Sequence, residues 1–475
     1  MNEILERFVD HSHPLIVAPA GHGKTHLLID AIEKLEGCQL VLTHTHAGVY
    51  ELVGRLKKRG LPPSSYEVRT IDSFATILVK AYPSIAKYTI NEGLGDWLEV
   101  KEGAFRVLEN SAIKKVVSSS YSGILVDEYQ DCSVIQHGII CKLAEILPCR
   151  VVGDPLQGIF DFGKTPGEKK VPWQMVTKTF EEIGTLETPF RWKKSKPALG
   201  KWIAQTRTAL IKGEEINLEE SEESRVYFVK EEGGSNADVL RRLVKKQKGS
   251  IAGIFDSRRS RCHAILKNLK NRYSTFEDAD AAEVQKSLEE FDCDDGVVQI
   301  RILSKFVRAY TAKSGDFGKW CEKLEQGDKI QPRREDFKLI TTAIQNVLNH
   351  PGEMQCLKVM EALELKKEKL TYLSREYWEL LKNAFRMAAT DTEVTVPQCV
   401  YRLRSRAKIV GRKAPTRCVS TTLLLKGLEF ETAVILDISE FRSAKSFYVA
   451  ISRAKRNLIL VGNSPAIKFP KPDYI

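Results

Sequence analysis

The run Ala18-Pro19-Ala20-Gly21-His22-Gly23-Lys24-Thr25 places two glycines, a lysine and a hydroxyl within one short stretch. Glycines let a backbone curl until its N–H groups converge, and a helix opening directly afterwards adds its own free N–H groups and the positive end of its dipole. Such a turn cradles phosphate oxygens through the backbone of Ala20, Gly21, His22 and Gly23. Lys24 would set its charge against the β and γ phosphates of ATP, and Thr25 would offer its hydroxyl to Mg²⁺. Ala18 stands where such loops usually begin with glycine. A second pair of chemical groups lies in Val126-Asp127-Glu128-Tyr129-Gln130-Asp131. Asp127, at a strand tip, can hold Mg²⁺ through its water shell, and Glu128 is placed to take a proton from an attacking water. Paired acids after a strand are common as solvated caps, but after a phosphate loop they read as hydrolytic.

The elements that must position these groups are legible as short apolar runs ahead of polar turns. Pro14-Leu15-Ile16-Val17, Leu40-Val41-Leu42, Gly123-Ile124-Leu125-Val126 and Arg150-Val151-Val152 alternate with helical periodicity, which predicts a parallel α/β sheet. Each run ends where a chemical motif begins, as expected of a sheet that binds ligands at the carboxyl ends of its strands. Further strands are expected at Arg225–Val229, Ser250–Phe255, Arg417–Ser420, Ala433–Leu436 and Leu458–Val461, with an acidic stretch over Glu214–Glu223. From about Asp278 to about Ser405 the pattern is mostly helical, with long charged amphipathic stretches such as Glu361 to Arg386.

Composition narrows the class. A chain of 475 residues, 43% hydrophobic and 28% charged, is that of a globular protein with two or more domains. The first residues lack the basic patch and apolar stretch of a signal peptide, no apolar run is long enough to span a membrane, and a cytoplasmic location with no membrane partner is expected. The ten cysteines show no C-x-x-C pair, so reduced, mostly buried thiols are expected. The net charge of +11 is consistent with a polyanionic partner such as nucleic acid.

Asp127-Glu128-Tyr129-Gln130-Asp131 resembles the Asp-Glu-Phe/Tyr-Gln-Asp signature of UvrD/Rep-type superfamily 1 helicases, and further family motifs follow in order across nearly the whole chain. Thr43-His44-Thr45-His46-Ala47 and Thr70-Ile71-Asp72-Ser73-Phe74 are similar to two DNA-contact motifs. Val152-Gly153-Asp154-Pro155-Leu156-Gln157-Gly158-Ile159-Phe160 resembles the motif that couples ATP to DNA. Thr188-Pro189-Phe190-Arg191, Lys426-Gly427-Leu428-Glu429-Phe430 and Tyr448–Ala454 look like the motifs of the second lobe. The resemblance implies that Gln157 senses the γ-phosphate and that Arg191 and Arg453 stabilise its charge from across a cleft, with Glu429 meeting the ribose. It assigns DNA contacts to Thr43, His44, Thr45, Thr70, Ser73, Phe160, Phe162 and Thr421, with Phe74 and Trp192 as further stacking candidates.

The same resemblance implies an α/β fold class with two RecA-like P-loop NTPase lobes. Residues 1–190 would form the first, with a reduced accessory segment at about 80–118; residues 191–277 and 406–475 would form the second, interrupted by an α-helical insertion over 278–405. Some positions depart from the family. No glutamine precedes Gln39 to read adenine, so loose base selectivity is expected; Leu423 replaces a histidine, and Phe162-Gly163 a Trp-Arg pair. His11, His13, His22, His26, His44 and His46 crowd the first 46 residues, but four of them belong to the loop, its helix and a DNA motif rather than to a metal site. The expected function is an ATP-dependent, Mg²⁺-using DNA translocase or helicase moving 3′ to 5′ on single-stranded or partly duplex DNA. The alternative, suggested by the altered motifs, is a DNA-sensing regulatory ATPase that controls a partner nuclease, as in Gabija-type antiphage defence.

Overall fold

Four apolar runs become the central strands of one parallel sheet because both their faces are covered, and such strands need no alternation of polar residues. The computed structural model describes residues 2–88, 97–160, 165–218, 223–230, 236–245, 247–269, 273–275, 288, 290–291, 294–312, 314–367, 370–391, 394–410 and 415–472. It divides into two compact units, one of residues 1–231, 409–411 and 437–475, the other of 232–408 and 412–436. The boundary expected at residues 277 and 278 lies outside the described residues, as do Phe162 and Gly163.

In the first unit, β1 (Pro14–Val17), β2 (Gln39–Thr43), β3 (Tyr66–Thr70), β4 (Gly123–Val126), β5 (Cys149–Gly153) and β6 (Glu181–Thr185) lie in the order β3-β2-β4-β5-β1-β6, all parallel. Alternate residues feed two cores. Leu15, Val17, Leu40, Leu42, Ile124 and Val126 pack on one face, and Ile16, Val41, Leu125 and Val152 on the other, with Leu27 and Leu28 of helix Lys24–Lys34. The sequence reading missed β3 and β6. Both are edge strands, half exposed and written in mixed polar residues, so neither carries the apolar run that marks a covered strand.

The same unit holds helix Pro197–Lys212, strand Val226–Lys230, helix Ala444–Ile451 and strand Ala454–Gly462. The two strands pair in parallel from Leu458↔Val226 to Gly462↔Lys230, which ties the end of the chain to residues more than two hundred positions earlier.

The second unit carries a parallel sheet in which Ile251–Phe255 lies between Arg417–Thr421 and Phe430–Ile435. Between the first two of these strands the chain forms helices Gly296–Tyr310, Phe317–Glu325, Glu335–Asn349, Glu353–Glu364, Arg375–Thr390 and Val396–Val410, around a core that includes Phe306, Trp320, Trp378 and Phe385. The expected parallel α/β architecture and its helical insertion are both present. The amphipathic stretch Glu361 to Arg386 is not one helix: it breaks after Glu364, and Thr371-Tyr372 pairs antiparallel with Thr311-Ala312 before Arg375 starts the next helix. Ser374 caps that helix, its side chain accepting from the Tyr377 N–H.

Candidate nucleotide and nucleic-acid site

β1 delivers the chain into the phosphate loop, where Ala18 N–H donates to the Gly153 carbonyl at 2.8 Å and so stitches the loop's start to the end of β5. Gly21 and Gly23 have φ of +74° and +91°, the left-handed region that side chains resist. They also have no room for a side chain. A Cβ on Gly21 would sit 2.8 Å from the Trp192 ring, and one on Gly23 2.8 Å from the Phe190 ring. The glycines therefore serve the curl of the loop and the close seating of residues 190–192 on it. His22 is buried, its ring hydrogen-bonded to the Ala20 carbonyl at 2.9 Å; burial lowers its pKa and keeps it neutral. Thr25 follows at the second residue of helix Lys24–Lys34, partly buried.

Lys24 Nζ lies 2.5 Å from Glu128 Oε1 and 3.7 Å from Asp127 Oδ1, so the lysine of the loop and the acid pair of β4 meet in one place. Burial disfavours the Lys24 charge, but Glu128 and Asp127 outweigh it and hold the ammonium above its usual pKa. Asp127 moves the other way. Burial pushes its carboxyl up to about 6 although Lys24 pulls it down. Glu128 sits at φ +54°, uncommon for a residue with a side chain and a strained conformation of the kind found at functional sites.

Gln130, fully buried, donates from Nε2 to Glu128 and accepts the Asp154 N–H on Oε1 at 2.9 Å. Asp154 in turn accepts from Gln157 Nε2 at 3.1 Å and from Arg207 at 2.9 Å. Arg191 reaches the loop from its other side. Its N–H donates to the Gly21 carbonyl at 3.0 Å and its guanidinium to the Ser452 carbonyl at 2.6 Å. Arg453, next along, is buried and donates from Nε to the Val449 carbonyl and from Nη2 to the Ser452 hydroxyl. Tyr448 closes the group, its hydroxyl accepting the Ala20 N–H at 3.0 Å.

The structure thus gathers Lys24, Glu128, Asp127, Gln157, Arg191 and Arg453 within a single compact unit. Both arginines belong to the unit that carries the loop, because residues 437–475 and 190–231 pack with the first sheet. Glu429 and Thr421 lie in the second unit, Glu429 exposed and Thr421 buried at the end of its strand.

Of the residues expected to contact DNA, Thr43, His44, Thr45, Thr70 and Ser73 lie at or just after the ends of β2 and β3, where Thr43 and Thr70 are register partners. Their side chains already have local roles. Thr45 and Thr70 cap the helices His46–Arg59 and Ile71–Ala81, accepting from the Gly48 and Ser73 N–H groups at 3.0 Å each. Thr43 is buried, Ser73 half-buried, and His44 Nε2 lies 3.4 Å from Cys132 Sγ. Phe160 is half-buried. Phe74 and Trp192 are not available as stacking platforms: both are buried, and the Trp192 indole N–H donates to the Ala454 carbonyl at 2.9 Å. Sequence reading gave no role to Gln130, Asp154 or Tyr448, although each sits inside a quoted motif. It had no signal at all for Arg207, a cation in an unremarkable helix.

Residues 51–166 match the family model of the UvrD/REP helicase N-terminal domain. Over that segment, about a quarter of its length, the chain is similar to this family. That match takes in Thr70 and Ser73, the acid pair at Asp127 and Glu128, and Gln157 and Phe160 of the coupling motif. No curated protein matches the chain in sequence. Among solved structures it is similar to the Pif1 helicase from Candida albicans, at 11% identity and a TM-score of 0.40 over 97% of this chain and 93% of that one. It is also similar to the arterivirus nonstructural protein 10 helicase solved with DNA, at 14% identity and a TM-score of 0.27 over 54% of this chain. The chain spans about half the length of that arterivirus protein (50%). Among the described residues, no helix is long and apolar enough to cross a membrane.

Proposed function

We propose that the chain is an ATP-dependent DNA translocase and helicase, with DNA-stimulated NTP hydrolysis and 3′ to 5′ movement on single-stranded DNA. The observation that carries this reading is the meeting of Lys24 with Asp127 and Glu128 at a loop held open by two left-handed glycines. The donor set suits ATP and Mg²⁺: a glycine-curled backbone for phosphate, and the Thr25 hydroxyl and Asp127 carboxylate, both hard oxygen ligands, for the metal. Bound magnesium would screen the charge of the terminal phosphates. The protein's own part begins with Lys24, which must exchange Glu128 for phosphate oxygen. That exchange frees Glu128 to accept a proton from the attacking water. Gln157 holds the water or phosphate through an amide fixed by Asp154, while Arg191 and Arg453 add positive charge where the transition state gathers negative charge. The DNA strand would cross the ends of β2 and β3, where the helix termini after Thr45 and Thr70 face phosphates.

The test pairs an ATPase assay, with and without single-stranded DNA, with displacement of a strand from 3′-tailed and 5′-tailed duplexes. Mg²⁺-dependent turnover that rises with DNA, and displacement from the 3′ tail alone, is the expected result. Absence of hydrolysis on every nucleic acid would overturn the reading, and displacement from the 5′ tail would overturn the polarity. DNA-stimulated hydrolysis without displacement would favour a regulatory ATPase acting on a partner nuclease.

A further inference from the structure

Asp154 is fully buried, and a carboxylate taken out of water must be paired with a cation or with several donors. Its Oδ1 accepts from the Leu156 N–H at 3.2 Å and from Arg207 Nη2 at 2.9 Å, while Oδ2 accepts from Gln157 Nε2 at 3.1 Å. Arg207 comes from helix Pro197–Lys212 and leaves 13% of its side chain exposed. The same guanidinium adjoins the Tyr448 hydroxyl, which accepts the Ala20 N–H of the phosphate loop. Through the Asp154 N–H the group also reaches Gln130, and through Gln130 it reaches Glu128. One side chain therefore stands behind the amide of Gln157, the backbone of the loop and the acid at Glu128.

We infer that Arg207 is a positioning residue for hydrolysis, which fixes Gln157 through Asp154 and the phosphate loop through Tyr448. The inference rests on the hydrolytic reading of the loop. A planar guanidinium can serve a carboxylate and a phenol at once, which the point charge of lysine does poorly. When the guanidinium is removed, Asp154 is a buried charge with only neutral donors. It then turns away toward other donors or water, and its hold on the Gln157 amide changes. Arg207 borders a cavity of about 570 Å³, lined also by Trp173, Glu182 and Lys471, so a shorter side chain admits water there rather than collapsing the core.

The experiment measures DNA-stimulated ATPase kinetics and thermal melting for the wild type, Arg207→Met, Arg207→Lys, Asp154→Asn and the Arg207→Met/Asp154→Asn double variant. The expected result is a kcat lower by about a hundredfold in Arg207→Met with the KM for ATP changed by less than about threefold, the signature of a displaced catalytic group. The double variant loses no more than Arg207→Met alone, because both act on one link. Wild-type kcat in a folded Arg207→Met overturns the inference, as does an additive loss in the double variant. If Arg207→Met does not fold, Arg207→Lys decides: a reduced kcat at unchanged KM supports positioning, and wild-type kinetics overturn it. A wild type that hydrolyses no ATP instead removes the hydrolytic reading itself.

Discussion

Lys24 and Glu128 are held in an ion pair at 2.5 Å, so the residue proposed to meet phosphate and the residue proposed to take a proton restrain each other. Glu128→Gln keeps the shape but removes both the charge and the basicity. It is expected to bind ATP near normally and to lose about a hundredfold to ten-thousandfold in kcat, read in single-turnover assays. Lys24→Ala should lose hydrolysis as well, but through weakened nucleotide binding. Asp127 makes a separate prediction about stability. Its folded pKa of about 6 lies above its ordinary 3.8, so the folded chain holds this proton where the unfolded chain has released it. The contribution of this carboxyl to stability is therefore fully present at low pH and is lost as pH rises through that interval. Asp127→Asn should melt a few degrees above the wild type at neutral pH, and the gap should close by about pH 4. A gap that widens on acidification would show that the Lys24 attraction outweighs burial.

At the scale of elements, the loop and the two capped helices turn local conformation into site geometry. Gly23→Ala must adopt a left-handed φ and press a methyl group on the Phe190 ring. A destabilisation of about 1–2 kcal/mol from the backbone alone is expected, with a further cost from displacing residues 190–192, measured by denaturant unfolding. Thr70 separates capping from DNA contact. Thr70→Ala should cost about 1 kcal/mol by loss of the cap. Thr70→Asp keeps a capping oxygen and suits the helix dipole, yet sets a negative charge where DNA phosphate would lie. It should retain stability and weaken single-strand binding, measured by fluorescence anisotropy. Unchanged binding would move the DNA path away from the end of β3. Strands β3 and β6 belong to this scale too. They are invisible as apolar runs because an edge strand covers only part of its surface, whereas β1, β2, β4 and β5 announce themselves by being covered on both faces.

For the whole molecule, the informative fact is that residues 437–475 complete the unit that carries the phosphate loop. Strand Ala454–Gly462 pairs with Val226–Lys230, Ala454 accepts the Trp192 indole, and Tyr448 holds Ala20. A fragment ending at residue 231 should therefore fail to melt cooperatively, and co-expression or linkage with residues 437–475 should restore melting and nucleotide binding. Cooperative unfolding of the short fragment would contradict this. The net charge of +11 also acts at this scale: DNA affinity should fall steeply with salt, by orders of magnitude over a fewfold rise in concentration.

The phosphate loop, the acid pair and the covered strands that end in them were determined by the sequence itself, since each is a local pattern with a local physical cause. Glycine at a left-handed turn, a carboxylate at a strand tip and a continuous apolar run need no distant partner to be recognised. What only the tertiary structure decided is company. It brought Arg191 to Gly21, Tyr448 to Ala20 and Arg207 to Asp154, contacts spanning 53 residues in the last case and 428 in the second. It also turned Trp192 and Phe74 inward, because an aromatic ring is equally suited to a core and to a stacked base. A buried charge such as Asp154 is written as one letter like any other, and its need for a cation becomes visible only when the chain has removed it from water.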